Sequence, residues 1–193
     1  MTNSIAEAAE SAVFLLTGTN TTENHPVVAT KIKQAVNRGA RLILVDPRDI
    51  EIAKFATIHL RQRPGTDVAW INGMMNVMID EGLYDKDYVA GRTEGFEKMK
   101  EVVKKYTPQY VEKISGLPAA DLVQAARLFA TSKPAAIYYA MGITQHTTGT
   151  DNAMSRANLA MLSGNGGVSG GGVNPLRGQN NVQGACDMGA LPN

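Results

Sequence analysis

The sequence predicts an α/β domain, a parallel β-sheet with helices on both faces and a helical insertion. Three observations carry this. Ala12–Thr17 and Arg41–Asp46 are short continuous apolar runs, as in strands of parallel sheets buried on both sides. A helical pattern lies between them, giving a βαβ unit, whose crossover is almost always right-handed. Further helical patterns then lead back to another apolar run at Ala135–Met141.

The first strand, Ala12-Val-Phe-Leu-Leu-Thr17, ends at Gly18, and the polar stretch Gly18–His25 reads as a loop. Pro26 stands where a first helical residue tolerates it. Val27, Val28, Ile32, Ala35 and Val36 then recur on one face until Asn37-Arg38-Gly39 ends the helix. Asp46-Pro47 closes the second strand, and alternation suggests a third at Thr57–Gln62. Val68, Ile71, Met75, Met78 and Ile79 line a helix that stops near Gly82. The insertion, about residues 84–131, holds shorter helices at Tyr84–Arg92 and Phe96–Lys105, a turn from Thr107-Pro108 to Gly116, and a helix opened by Pro118. Lys133-Pro134 breaks that helix before the strand Ala135–Met141, and Asp151 caps a last helix reaching Ser163-Gly164. The methionines on these faces are read as core filling.

Residues 1–163 thus form one domain. Residues 164–193 stand apart, with nine of the 19 glycines and no periodicity. Such a stretch is either functional or hides an element. Its Asn, Gln, Arg and Pro suggest a backbone shaped around a ligand, and its position at the end makes the chain look like a piece leading into a further domain.

Composition excludes several classes. Lys and Arg number 19 against 18 Asp and Glu, which favours neither nucleic acid nor an anionic membrane. One cysteine, Cys186, cannot build a disulfide framework or an iron–sulfur site alone, and it reads as structural. No apolar run approaches the ~20 residues of a membrane span, and the polar, acidic Met1–Ser11 is not a signal peptide.

Ligands of such sheets bind past the carboxyl ends of the strands, where strand order reverses. Gly18-Thr19-Asn20 precedes a helix N-terminus able to seat phosphate, although Gly-x-Gly-x-x-Gly is absent. Asp46 could meet a ribose or merely cap the Asp-Pro turn, and Arg48 could meet a phosphate or only solvent. Gly65-Thr66-Asp67 opens a helix, with Asp67 as its cap or as a carboxylate for paired N–H donors such as the guanine edge. Met141–His146 lies at the same sheet edge. His25, His59 and His146 have no partners at metal-ligand spacing, so no metal ligand is assigned. Arg177, in Asn174-Pro-Leu-Arg-Gly-Gln179, suits a small anion.

Taken in order, Gly18-Thr-Asn20, Glu23-Asn-His-Pro26, Val45-Asp-Pro-Arg48, Arg63-Pro-Gly-Thr-Asp67, Arg92-Thr-Glu-Gly-Phe96, Met141-Gly-Ile-Thr-Gln-His146 and Asn174–Gly189 resemble the catalytic subunit of molybdenum- or tungsten-dependent formate dehydrogenases, which are molybdopterin oxidoreductases. The resemblance covers the whole chain and is most specific at the end. It implies a Rossmann-like domain holding one of two molybdopterin guanine dinucleotides (bis-MGD) that carry Mo or W. Gly18, Asn20, Glu23 and Asn24 would line the pyrophosphate, Asp46 and Arg48 the guanosine end, and Gly65 and Asp67 the guanine. Met141 and Gln145 would lie toward the pterin. Arg177 would orient formate, with Gln179 near the metal.

The family's four-cysteine motif for a four-iron four-sulfur cluster, its metal-bound cysteine or selenocysteine, and its C-terminal domain have no counterpart here. The chain therefore reads as an internal fragment, expected to be inactive alone. The resemblance makes formate, the rest of the subunit and electron-transfer subunits its partners. The parent is expected in the cytoplasm, with the periplasm as the alternative. Two other readings remain at this point: a sibling oxidoreductase of the nitrate reductase kind, and a stand-alone nucleotide-binding module.

Overall fold

The computed structural model describes residues 1–190. The apolar runs pair as five parallel strands, β1 (Val13–Thr17), β2 (Arg41–Val45), β3 (Ile58–Leu60), β4 (Ala135–Tyr139) and β5 (Val173–Pro175), in the order β3-β2-β1-β4-β5. Val13 pairs with Arg41 on one side and Ala135 on the other, so β1 is central and its flanking strands start level with it. Continuous hydrophobicity follows from burial on both faces. Val13, Leu15, Ile43, Val45 and Ile137 point into one core; Phe14, Leu16, Leu42, Leu44 and Tyr138 point into the other.

The second face is covered by a 3₁₀ turn (Ala6–Glu10), the short α1 (Thr21–Asn24), α2 (Pro26–Asn37) and another 3₁₀ turn (Glu51–Phe55). On α2, Val28, Ala29, Ile32 and Ala35 are buried, whereas Val27, assigned to the apolar face by its spacing, is exposed.

The first face carries α3 (Asp67–Asp80), then the inserted α4 (Lys86–Arg92), α5 (Phe96–Val103), α6 (Pro108–Ser115) and α7 (Ala119–Thr131). Thr107 Oγ1 accepts the Tyr110 amide at 3.3 Å to start α6, and Gly116 ends it at φ 74°. A single apolar stripe underestimates α3, because α5, α6 and α7 wrap its outer side and Trp70, Met74 and Val77 are buried as well. Gly73 permits this: a Cβ there would lie 2.7 Å from Val111 and 2.9 Å from Leu122. After β4 come the one-turn α8 (Met141–Thr144), α9 (Gly149–Leu162) and, past β5, α10 (Val182–Asp187).

Several expectations need correction. The loop Gly18–His25 contains α1, and β4 stops at Tyr139 because Met141 already starts a helix. Asp151 lies in the first turn of α9, whose N-cap is Thr148. The segment 164–190 is not structureless. Its β5 completes the sheet, so the sheet runs past the boundary drawn at residue 163, and three residues ending in proline were too short for a period of two to register. Nor are the glycines at 170–172 built around a ligand. Gly170 and Gly172 fit the chain's own N-terminal segment, a Cβ at Gly170 lying 2.9 Å from the Glu10 backbone and one at Gly172 against Thr2 and Asn3, while a Cβ at Gly171 would lie 2.9 Å from the Asn165 carbonyl oxygen.

Candidate functional site

The carboxyl ends of the strands converge on one edge. After β1 the chain turns at Gly18 (φ 57°), whose carbonyl accepts the Gly142 amide at 3.0 Å. A Cβ on Gly18 would sit 2.6 Å from Ile143 N, and one on Gly142 2.8 Å from Gly18 O. The ends of β1 and β4 therefore meet backbone to backbone, and above them opens a cleft of about 480 Å³. This is the point where the chain crosses from the β1–β2–β3 half to the β4–β5 half, the place such sheets bind ligands.

Of the residues singled out from sequence, Gly18, Asn20, Asn24, Asp46, Arg48 and Met141 line this cleft. Glu23 and Gln145 are exposed and do not, and neither do Gly65, Asp67, Arg177 and Gln179. Thr19, His25, Gln62, Gly142 and Gly178 line it without having been singled out as site residues. Thr19, Gln62, Gly142 and Gly178 share one signal, a position shortly past a strand, whereas His25 follows α1 and carries no such mark. Gln62 was hidden because the third strand was drawn to it, whereas β3 ends at Leu60.

The wall after β1 is the most informative. Of the residues that line the cleft here, Thr19 Oγ1, Asn20 Oδ1 and His25 Nδ1 are buried without a hydrogen-bond partner among the described residues; Thr17, Thr21 and Thr22 Oγ1, just behind them, are likewise unpaired among those residues. Buried polar atoms are normally paired, so the three at the cleft wall have donor and acceptor capacity that a polar ligand could satisfy. This wall adjoins the N-terminus of α2, where N–H groups point outward without a side-chain cap.

At the end of β2, Asp46 Oδ1 accepts the Arg48 amide at 2.9 Å and faces Arg48 Nε at 3.6 Å, while His59 Nε2 donates to its carbonyl at 3.0 Å. Asp46 does close the Asp-Pro turn; its other carboxylate oxygen has no partner among the described residues. Past β3, Asp67 is buried, and its Oδ1 accepts from Trp70 Nε1 at 3.2 Å and, more weakly, from Gln62 Nε2 at 3.5 Å. The capping reading fails. Thr66 is the N-cap of α3 and makes no side-chain cap bond. Gly65 supplies a left-handed turn at φ 80° with nothing near it.

Past β5, Arg177 is exposed and donates to Gln183 Oε1 at 2.8 Å, and Gln183 donates in turn to Asp187 Oδ1 at 2.8 Å. The Arg177 carbonyl accepts from His25 Nε2 at 2.8 Å. That bond is the one hydrogen bond, among the described residues, joining 177–190 to the rest of the domain. Gln179 is exposed and makes no side-chain bond among those residues.

No group of three His, Cys, Asp or Glu side chains gathers as a metal site among the described residues, and no described helix is long and apolar enough to cross a membrane. The chain is 51% identical over its full length to "F420-dependent formate dehydrogenase subunit alpha" of Methanocaldococcus jannaschii, and 48% identical over 192 residues to "Formate dehydrogenase H" of Escherichia coli. It spans only 29% and 27% of those proteins. Acetylene hydratase from Pelobacter acetylenicus shares the fold, with a TM-score of 0.77 and 36% identity over 86% of this chain and 23% of that one. The family model described as "Molybdopterin oxidoreductase" matches residues 1–192, so the chain belongs to the molybdopterin oxidoreductase family.

Proposed function

We propose that this chain is the dinucleotide-binding part of a formate dehydrogenase catalytic subunit, with one molybdopterin guanine dinucleotide lying along the carboxyl edge of its sheet. The observation that carries this is the row of orphaned polar atoms after β1, beside the Gly18–Gly142 contact that leaves the cleft floor bare of side chains. The residues present fit such a group. Thr19, Asn20 and Asn24 would hold the pyrophosphate with the α2 N-terminus, and Asp46 with Arg48 would hold the ribose. Asp67 would accept the paired N–H donors of guanine, and Met141 would lie toward the pterin. When bound, the metal–pterin group would supply the two-electron redox chemistry.

The chain's own contribution to the reaction is orientation. Arg177 gives Gln183 one of its five N–H donors, and two of the others would hold a carboxylate such as formate in parallel. Formate as substrate is suggested by the relatives' names and the suitability of Arg177. A four-cysteine cluster, the remainder of the subunit and electron-transfer partners would come from outside these residues. The chain alone is proposed not to oxidise formate, and formate-dependent dye reduction by it would overturn that.

The nucleotide reading is tested by thermal shift with GDP against ADP, on the native chain and on Asp67→Asn. GDP should raise the Tm and ADP should not, and Asp67→Asn should erase the difference. Equal shifts with both nucleotides would refute the guanine assignment.

A further inference from the structure

His25 joins the cleft wall to the segment that carries Arg177. It stands between α1 and α2, and it lines the cleft together with Gly178. Its Nε2 meets the Arg177 carbonyl at 2.8 Å, while its Nδ1 is buried and without a partner among the described residues. A carbonyl oxygen only accepts, so Nε2 carries the hydrogen, and in a neutral ring Nδ1 then presents a bare lone pair. That lone pair is not spent on the start of α2, where no side-chain cap bond forms. Beyond Nε2, residues 177–190 have no other hydrogen bond to the domain among the described residues. Gly178 lies in loose contact with Met141, a Cβ there standing 3.7 Å from Met141 Cγ, and both line the cleft. An occupant of the cleft thus lies against the same ring that tethers the Arg177 segment.

We propose that His25 is a positioning residue coupling the cleft to Arg177: a hydroxyl of the occupant donates to Nδ1, which holds the ring in place for its Nε2–H bond to the Arg177 carbonyl. Fixing a side chain costs rotamer entropy, and in the empty cleft a single bond bears that cost. A second bond from the other side of the ring shares it, so each bond tightens the other. Arg177 is then held most firmly over a filled cleft. A sugar hydroxyl supplies the donor that Nδ1 lacks, whereas an ionised phosphate oxygen only accepts. The identity of the occupant as a nucleotide rests on the function proposed above; the donor and acceptor sides of the ring do not.

The test is amide exchange across residues 178–188, with and without saturating GDP. In the native chain GDP should slow it roughly 3- to 10-fold, the worth of one hydrogen bond. Dideoxy-GDP, whose sugar lacks both hydroxyls, should raise the Tm but leave that exchange unchanged. His25→Gln keeps an N–H donor as far from the backbone as Nε2 and places nothing at Nδ1. Its exchange without ligand should match the native chain, yet no longer respond to GDP. Nitrogen-15 NMR of the native chain without ligand should show His25 with its hydrogen on Nε2 and Nδ1 bare. The opposite tautomer, a doubly protonated ring, equal slowing by dideoxy-GDP, or an undiminished GDP response in His25→Gln would overturn the coupling. GDP that raises the Tm without slowing the exchange would overturn it while leaving the nucleotide reading standing. GDP that fails to raise the Tm would refute the nucleotide reading, and the coupling, which needs the sugar hydroxyl, would fall with it.

Discussion

Gly18 and Gly142 are the positions where one added carbon matters most. The Gly18 backbone is left-handed, and any side chain there meets the Gly142–Ile143 backbone, which cannot swing aside as a flexible side chain would. Gly18→Ala should therefore destabilise by about 2 kcal/mol or more, read as a Tm about 4–8 °C lower, and should weaken nucleotide binding further than the stability loss alone explains. His25 works by a different route. Its Nε2 holds the Arg177 carbonyl, so His25→Ala should speed amide exchange across residues 178–188 roughly 3- to 10-fold, the net worth of one hydrogen bond, and leave the sheet unaffected. The sequence marked Asn20, Asp46 and Asp67 because strand ends are legible from apolar runs. It could not mark His25, since its bond to the Arg177 carbonyl depends on a partner 152 residues away.

The clasp between the N-terminal segment and β5 belongs to the elements. Glu7 accepts from the Ser4 amide, the Asn3 side chain and the Ser169 hydroxyl, and these bonds hold its carboxyl down at about 2 from an ordinary 4.5. A carboxyl lowered on folding contributes stability above its unfolded pKa and loses it as pH falls through the folded value. The Tm advantage of native protein over Glu7→Gln should thus hold from neutral pH to about 4.5, shrink below that, and vanish near pH 2. A pH series of thermal unfolding checks this. Here the sequence was least legible. Gly170, Gly171 and Gly172 advertise a tight backbone approach, but nothing local says whether a ligand or another part of the chain makes it. The β-strand Val173–Pro175 was invisible for a related reason, since its neighbours β4 and Thr2 supply the order that three residues lack. The longer elements were readable because burial on two faces writes a continuous apolar run and burial on one face writes a stripe.

Across the whole molecule, one sheet separates two cores, and both edges of that sheet are short. β3 has three residues, and β5, also three, is flanked by Thr2 and Asn3 bonded to Val173 and Asn174. Removing residues 1–4 should bare a row of unpaired strand groups, lowering the Tm and causing concentration-dependent self-association visible by size-exclusion chromatography. The order of strands has one more consequence. Asp67 follows β3 and Arg177 follows β5, the two margins of a five-strand sheet, so their anchor points stand about 19 Å apart at ordinary strand spacing. A mononucleotide is far too short to answer both, and a flexible chain would lose entropy in trying. On the proposed function, the rigid pleated frame would act as a ruler, admitting an occupant by its reach as well as by the groups at its two ends.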